Sequence, residues 1–105
     1  MRKQRVHIPS YQKQMPEIFR IIKYFGNTAT KSQIGFMMMA ELGVTKKYTD
    51  KIFRDCGFAL SLLKNFEIVE QVKQSVWTLA DKYKNKSYEE MKEIIKEKYK
   101  DYYLR

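Results

Sequence analysis

The feature that most constrains the fold is a change of hydrophobic period near residue 67. Up to that point, apolar side chains recur at three- and four-residue steps, which is the period of amphipathic α-helices. Beyond it come two runs rich in β-branched and aromatic residues, 68–72 and 75–79, on either side of the polar pair Lys73-Gln74. The sequence therefore predicts several helices followed by a two-stranded β-hairpin.

The first helix is predicted to follow Ser10, whose hydroxyl suits an N-cap, and to end at Gly26-Asn27. Pro16 lies inside this stretch and has no backbone N–H to donate, so the alternative is a separate first turn with Pro16 as the start of the helix. The apolar residues of this helix are Tyr11, Met15, Ile18, Phe19, Ile22 and Phe25.

Two more helices are predicted before the hairpin. Thr30 or Ser32 is the candidate N-cap of the second helix, and Gly43 closes it. A short polar connection, 45–49, leads to the third. The inner face of the second helix is expected to carry Ile34, Met37, Met38 and Leu42, with the exposure of Met39 left open. The third helix has an apolar stripe of Ile52, Cys56, Ala59 and Leu63, widened by Phe53, Leu60, Leu62 and Phe66.

Three helices followed by a hairpin make a winged helix-turn-helix, predicted here for residues 10–82. A basic arm, 1–9, precedes it, and a C-terminal amphipathic helix, 87–104, follows a polar joint. Ser87 and Glu90 have the spacing of a capping box at the start of that last helix. The predicted fold class is mainly α with a small β-hairpin, and 105 residues suit a single domain.

The charge balance favours a polyanionic partner. The chain carries 21 Lys and Arg against 12 Asp and Glu, a formal net charge of +9. Its 44% apolar content argues against a disordered tail, and no apolar stretch reaches the ~18 residues of a membrane span, so no membrane partner is expected. The basic start lacks the apolar core of a signal peptide. A single cysteine favours a reducing, cytoplasmic location.

Four short segments, in order and spacing, resemble the N-terminal winged-helix domain of Mrr-type restriction proteins over roughly residues 9–82. These segments are Pro9-Ser10-Tyr11-Gln12 with Met15, Phe58-Ala59 before Leu62-Leu63-Lys64, Ile68-Val69-Glu70, and Val76-Trp77-Thr78-Leu79. The chain departs from that pattern at three positions: Asp55 replaces a usual basic residue, and Glu67 and Ser75 replace a turn glycine and a wing glycine.

The resemblance implies a DNA-recognition module of the kind joined to a nuclease domain that cuts methylated or foreign DNA. It implies binding and not cleavage by this chain, since no Asp/Glu-x-Lys metal constellation lies on a strand core. The expected partner is double-stranded DNA. The expected role is target recognition in a restriction or defence protein, or regulation by a small stand-alone binder.

The candidate DNA-binding residues cluster at the start of the third helix, where a recognition helix meets base edges and phosphates. They are Lys46, Lys47, Tyr48, Thr49, Lys51 and Arg54. Lys51 and Arg54 are three residues apart and share a face, which Lys47 joins one turn earlier. The alternative is an ordinary solvated helix end.

Three smaller groups complete the candidate site. Lys31 and Ser32 begin the second helix, where backbone N–H groups suit a phosphate. Lys73 and Gln74 form the predicted wing tip, for which a plain polar turn is the alternative. The arm offers a third group for the minor groove, with a solvated arm as the alternative. This arm group comprises Arg2, Lys3 and Arg5.

No catalytic or cofactor-binding constellation is present, so the prediction is a protein that is not an enzyme and needs no cofactor or metal. His7 is the only histidine, and Cys56 lies on an apolar stripe far from it in sequence. The glycines are isolated, so no phosphate-cradling loop is expected. Trp77, Phe58, Leu62 and Leu63 are expected in the core.

The rival function is a protein-interaction module, such as a phage-borne inhibitor or adaptor, built on the last helix. Tyr88, Tyr99, Tyr102 and Tyr103 exceed what a small core needs. They either pack back on the winged helix or form a surface for a homodimer or a partner protein.

Overall fold

Four α-helices and three short β-strands make up residues 10–104, the part of the chain that the computed structural model describes. The helices are α1 (Tyr11–Tyr24), α2 (Lys31–Leu42), α3 (Thr49–Asn65) and α4 (Tyr88–Tyr103), and the strands are β1 (Thr28–Thr30), β2 (Val69–Lys73) and β3 (Val76–Leu79). Two single 3-10 turns, Lys46–Tyr48 and Asp81–Tyr83, precede α3 and follow β3. None of the described helices is long and apolar enough to cross a bilayer.

The sheet is antiparallel, with β3 between β1 and β2. The order of helix, strand, helix, helix, strand and strand is that of a winged helix-turn-helix, so the predicted fold class is confirmed. The first strand is an addition to the prediction. It pairs Ala29 with Trp77, and the hydroxyls of Thr28 and Thr78 lie 2.9 Å apart across the two strands.

α1 is one continuous helix that begins after Ser10 as predicted, so the alternative start at Pro16 is wrong. Ser10 takes the N-cap position with extended backbone, but its hydroxyl makes no capping hydrogen bond; its carbonyl accepts from the N–H groups of Lys13 and Gln14. Pro16 lacks the N–H that would donate to the carbonyl of Gln12, so one helical hydrogen bond is missing. The burial of Met15 on the same turn offsets that loss.

α2 begins directly where β1 ends, because Thr30 serves both elements. The Thr30 Oγ1 accepts from the Gln33 N–H at 3.0 Å, and the Thr30 N–H donates to Gln33 Oε1 at 2.8 Å. Thr30, not Ser32, is therefore the cap, and the pair is a capping box. Gly43 ends the helix in the left-handed conformation, with φ of +67°.

α3 packs against both α1 and α2 and fills the centre of the core. At Gly35 a Cβ atom would lie 2.6 Å from the Phe53 ring, so this glycine permits the close approach of α2 and α3. The predicted stripe of α3 is buried throughout, and its members are Ile52, Cys56, Ala59 and Leu63. Met38 and Met39 are buried while Met37 is half-buried, which resolves the open question at Met39.

Phe58 contradicts its predicted place in the core, since 56% of its surface is exposed. It lies two residues from Cys56, about 200° around the helix, so it cannot share the buried stripe. Its ring instead meets Tyr11 of α1, with centroids 6.1 Å apart.

α4 lies antiparallel to α1 and shares its core through Met91 and Ile95, both buried. The predicted capping box is confirmed: Ser87 Oγ accepts from the Glu90 N–H at 3.1 Å, and Glu90 Oε1 accepts from the Ser87 N–H at 3.1 Å. The Tyr88 hydroxyl donates to the Glu17 carboxylate of α1. This bond, followed by partial burial, raises the pKa of Tyr88 to about 12.

The hairpin packs its inner face on the helices, and Trp77 is buried as predicted. The turn itself differs from the prediction, because Lys73 is the last residue of β2 and Gln74-Ser75 makes the turn. A β-bulge at Val72 separates the two cross-strand pairs of β2 with β3 nearest the turn. The wing is thus a tight hairpin whose tip is the polar pair Gln74-Ser75.

Candidate nucleic-acid interface

The 3-10 turn Lys46–Tyr48 runs straight into α3 and presents the first group of candidate residues. Lys46 and Lys47 are exposed on this turn, whereas Tyr48 and Thr49 are half-buried where the turn meets the helix. The Lys47 ammonium lies over the Tyr48 ring, 5.8 Å from its centroid. The turn therefore holds one lysine against an aromatic face and leaves the other in solvent.

The first two turns of α3 carry an exposed cationic face. Lys51 and Arg54 are exposed and three residues apart, so they share one face of α3, and the exposed Lys47 lies on the 3-10 turn that leads into it. Asp50 lies in the first turn, where a carboxylate favours the helix N-terminus. This face brings together the cationic side chains that the sequence singled out on α3.

The acidic residue Asp55 lies beneath this cationic face and pairs with one of its lysines. Its carboxylate accepts from Lys51 Nζ at 3.1 Å, and the residue is buried. Lys51 is about half exposed, so the pair adds little to stability, ~1 kcal/mol at most. Its main effect is positional: it fixes Lys51 along the helix and removes the Asp55 charge from the solvent surface.

The start of α2 is partly occupied by the chain itself. The Lys31 N–H donates to the Ser75 carbonyl at 2.8 Å, and the Gln33 N–H donates to Thr30. The first three backbone N–H groups of α2 belong to Lys31, Ser32 and Gln33. Only that of Ser32 is left to donate to an external anion. The structure therefore places Lys31 and Ser32 beside the wing turn. It leaves one backbone amide, that of Ser32, for the predicted phosphate contact.

The Lys31 side chain leans toward α3. A Cβ atom at Gly57 would lie 3.1 Å from its Nζ, so the glycine leaves room for the ammonium. This proximity also influences Cys56, whose pKa is raised to about 12 by burial and by the Asp55 charge, against an opposing effect of Lys31. The thiol is protonated at neutral pH, which makes it a poor nucleophile.

The wing offers an exposed polar tip next to an exposed apolar side chain. Lys73 and Gln74 are exposed, and Val72 at the bulge is 60% exposed. The hydrogen bond between Ser75 and Lys31 joins this tip to α2. The structure thus brings the wing and the start of α2 together, while Arg2, Lys3 and Arg5 lie outside the described residues.

No group of three or more His, Cys, Asp or Glu side chains in residues 10–104 is arranged to hold a metal ion. The chemistry that the candidate interface offers is that of cationic side chains, one backbone amide and a polar wing tip. These groups suit phosphates and base edges.

One surface escaped the sequence reasoning. Lys92, Lys96 and Lys100 occur at four-residue intervals on α4 and form a row along one face, across from Lys13 of α1. The i, i+4, i+8 spacing was the available signal. The structure pairs two of these lysines with glutamates of the same helix, Glu89–Lys92 at 3.8 Å and Glu97–Lys100 at 3.7 Å.

Comparison with known proteins gave no relative. No protein-family model, no curated protein and no solved structure matches the chain.

Proposed function

We propose that this chain binds double-stranded DNA, with the start of α3 in the major groove and the wing beside it. The observation that carries the proposal is the exposed cationic face of Lys47, Lys51 and Arg54 on a winged helix-turn-helix. The proposed role is target recognition in a restriction or defence protein, or regulation as a small binder, in the cytoplasm.

Lys51 and Arg54 have different proposed contacts because their cationic groups differ in shape. Lys51 is held by Asp55 and suits a phosphate, since a lysine acts as a point charge. Arg54 is exposed, and no ion pair within residues 10–104 engages its guanidinium. A free guanidinium can bind the O6 and N7 atoms of guanine in the major groove with two hydrogen bonds. Arg54 is therefore the proposed base-contacting residue, and Lys51 the proposed phosphate contact.

The test is a titration of labelled duplex DNA against salt, followed by fluorescence anisotropy. About six phosphate contacts give an expected log–log slope near −5. Arg54→Ala should weaken binding by about 1–3 kcal/mol, whereas Lys51→Ala should weaken binding to all sequences alike and reduce the magnitude of the salt slope by about 1. Lys96→Ala, an exposed lysine on α4, is the matched control and should change affinity much less. A slope near zero, or equal losses for all three variants, would contradict the proposal.

The second candidate function is a protein-interaction module, favoured by one observation. An aromatic end forms where the tips of α1 and α4 meet α3, and Phe58, Tyr103 and Leu104 are exposed there. A shallow cavity of about 300 Å³ lies between Tyr11, Phe58 and Tyr103. Sedimentation of the free chain over a range of concentrations tests whether this end joins two copies. A constant monomer mass would remove the homodimer.

A further inference from the structure

The antiparallel packing of α1 and α4 leaves a groove between the two helices. Hydrogen bonds cross between them, among them Tyr88 to Glu17 and Gln12 to Tyr99, the second at 2.8 Å. The groove has a volume of about 500 Å³. Its floor is apolar, and the residues that form it are Pro16, Tyr88, Ile95 and Tyr99.

Four lysines and the neutral Gln12 form the rim of the groove. Lys92, Lys96 and Lys100 come from successive turns of α4, and Lys13 comes from α1. All four are exposed, and the groove lining includes no Asp or Glu. Lys92 and Lys100 have glutamates nearly 4 Å away on their own helix. Such exposed pairs are weak, and no described ion pair involves Lys13 or Lys96.

An apolar floor beside a lysine-rich rim favours a ligand that has both apolar side chains and negative charge. A phosphate backbone would use the lysines and leave the tyrosine and isoleucine surface wet. An acidic amphipathic helix uses both, because it can place apolar side chains on the floor and carboxylates at the four ammonium groups. Charge complementarity with four lysines and burial of apolar area act in the same direction.

We propose that this groove binds an acidic amphipathic segment of a partner protein. The groove belongs to α1 and α4, and it shares no residue with the α3, α2 and wing residues of the proposed DNA interface. The two surfaces can therefore be occupied together. The chain would then act as an adaptor that brings an acidic partner to a nucleic acid.

The test uses the full chain and a labelled amphipathic peptide of about 16 residues, long enough for a helix on binding. One face of the peptide carries Leu and Phe, flanked by Glu on the other. Two companion peptides replace Glu with Gln, or Leu and Phe with Ala. The first peptide should bind at least about tenfold more tightly than either companion, because the groove needs both charge and apolar contact. Equal binding of the alanine companion would show a site for polyanions only and overturn the proposal.

Two charge-reversal pairs locate the site on the protein. Lys13→Glu with Lys96→Glu should weaken peptide binding at least about tenfold. Lys46→Glu with Lys47→Glu makes the same change in net charge at the DNA face, and should leave peptide binding within about twofold while reducing DNA affinity. If both double variants lose similar peptide affinity, the peptide is attracted to the basic protein in general, and the proposed binding site in the groove is overturned.

Two further readouts guard against misfolding and misplaced binding. Amide NMR shifts on adding the peptide to the unmodified chain should concentrate at Lys13, Lys96 and Tyr99, and a change confined to α3 would overturn the site. Duplex DNA and anionic lipid vesicles are added as competitors. Displacement of the peptide by either one would assign the groove to that ligand and overturn the proposal. Loss of DNA binding with intact peptide binding would contradict only the proposed function.

Discussion

At the scale of single residues, three described residues other than glycine, Asn27, Glu67 and Ser75, adopt the left-handed backbone conformation that favours glycine. Glu67 has φ of +63° between α3 and β2, and Ser75 has φ of +66° in the wing turn. For a residue with a Cβ, this left-handed conformation costs about 1–2 kcal/mol. Glu67 and Ser75 are two positions where the sequence departs from the glycines of the pattern it resembles, and their left-handed backbone gives a physical reason for glycine there.

Glu67→Gly should therefore raise the free energy of unfolding by about 0.5–1 kcal/mol. The relief of the left-handed strain exceeds the entropy that glycine loses on folding. Glu70→Gly, in strand β2 and equally exposed, is the control and should destabilise the protein. Urea denaturation of the three proteins measures the difference. A loss of stability in Glu67→Gly would show that its side chain, and not its backbone, matters.

At the scale of elements, α4 is held to the domain by a few buried side chains more than by its charges. Met91 is fully buried against α1, whereas the glutamate–lysine pairs of α4 lie 3.7–3.8 Å apart in solvent. Exposed pairs of this kind contribute a few tenths of a kcal/mol each. Burial of one methionine contributes several times more.

Met91→Ala should lower the free energy of unfolding by about 2–5 kcal/mol, because the truncation leaves a cavity between α1 and α4. Glu97→Ala removes one surface pair and should change stability by less than ~0.5 kcal/mol. Chemical denaturation followed by circular dichroism compares the two. Similar effects would mean that α4 is docked by its charges.

The elements that the sequence predicted well are those with a clear period. The stripe of α3 and the capping box of α4 were predicted from spacing alone, since both depend on neighbouring residues. The strand Thr28–Thr30 was missed because three residues cannot show an alternation, and its partner is β3, far along the chain. The helix start after Ser10 was predicted correctly, and the alternative start at Pro16 is wrong because buried residues before and after Pro16 keep the helix intact.

At the scale of the whole molecule, part of the net charge of +9 lies outside the residues that form the winged helix-turn-helix. Three of the basic side chains, Arg2, Lys3 and Arg5, lie in residues 1–9, which the structure does not describe. In the proposed complex these three side chains would contact phosphates and supply affinity common to all sequences, while Arg54 on α3 would supply the base contact.

Deletion of residues 1–9 should therefore reduce the magnitude of the salt slope by about 2–3, since each phosphate contact contributes about 0.9. The preference between two duplex sequences should stay the same, because the base-contacting residue is retained. Anisotropy titrations of both duplexes, with and without the nine residues, provide the comparison. An unchanged slope would show that the arm makes no phosphate contact.

The candidate site was only partly predictable for a reason that belongs to this scale. The basic start of α3 is local, and its spacing could be seen in the sequence. The capture of the Lys31 amide by Ser75 depends on the pairing of β1 with β3, which brings residues 44 apart in sequence within 2.8 Å. The groove between α1 and α4 likewise needs the docking of two helices that are distant along the chain.

That bond between Lys31 and Ser75 has a thermodynamic consequence. It fixes the angle between wing and α2 during folding, so a large part of the ordering entropy is already lost before a duplex arrives. Association would then need little rearrangement of the protein, and the duplex would have to match a fixed separation between wing and helix. In the proposed complex, a DNA groove too narrow or too wide would be rejected by its shape, so the wing would discriminate by groove width as well as by charge.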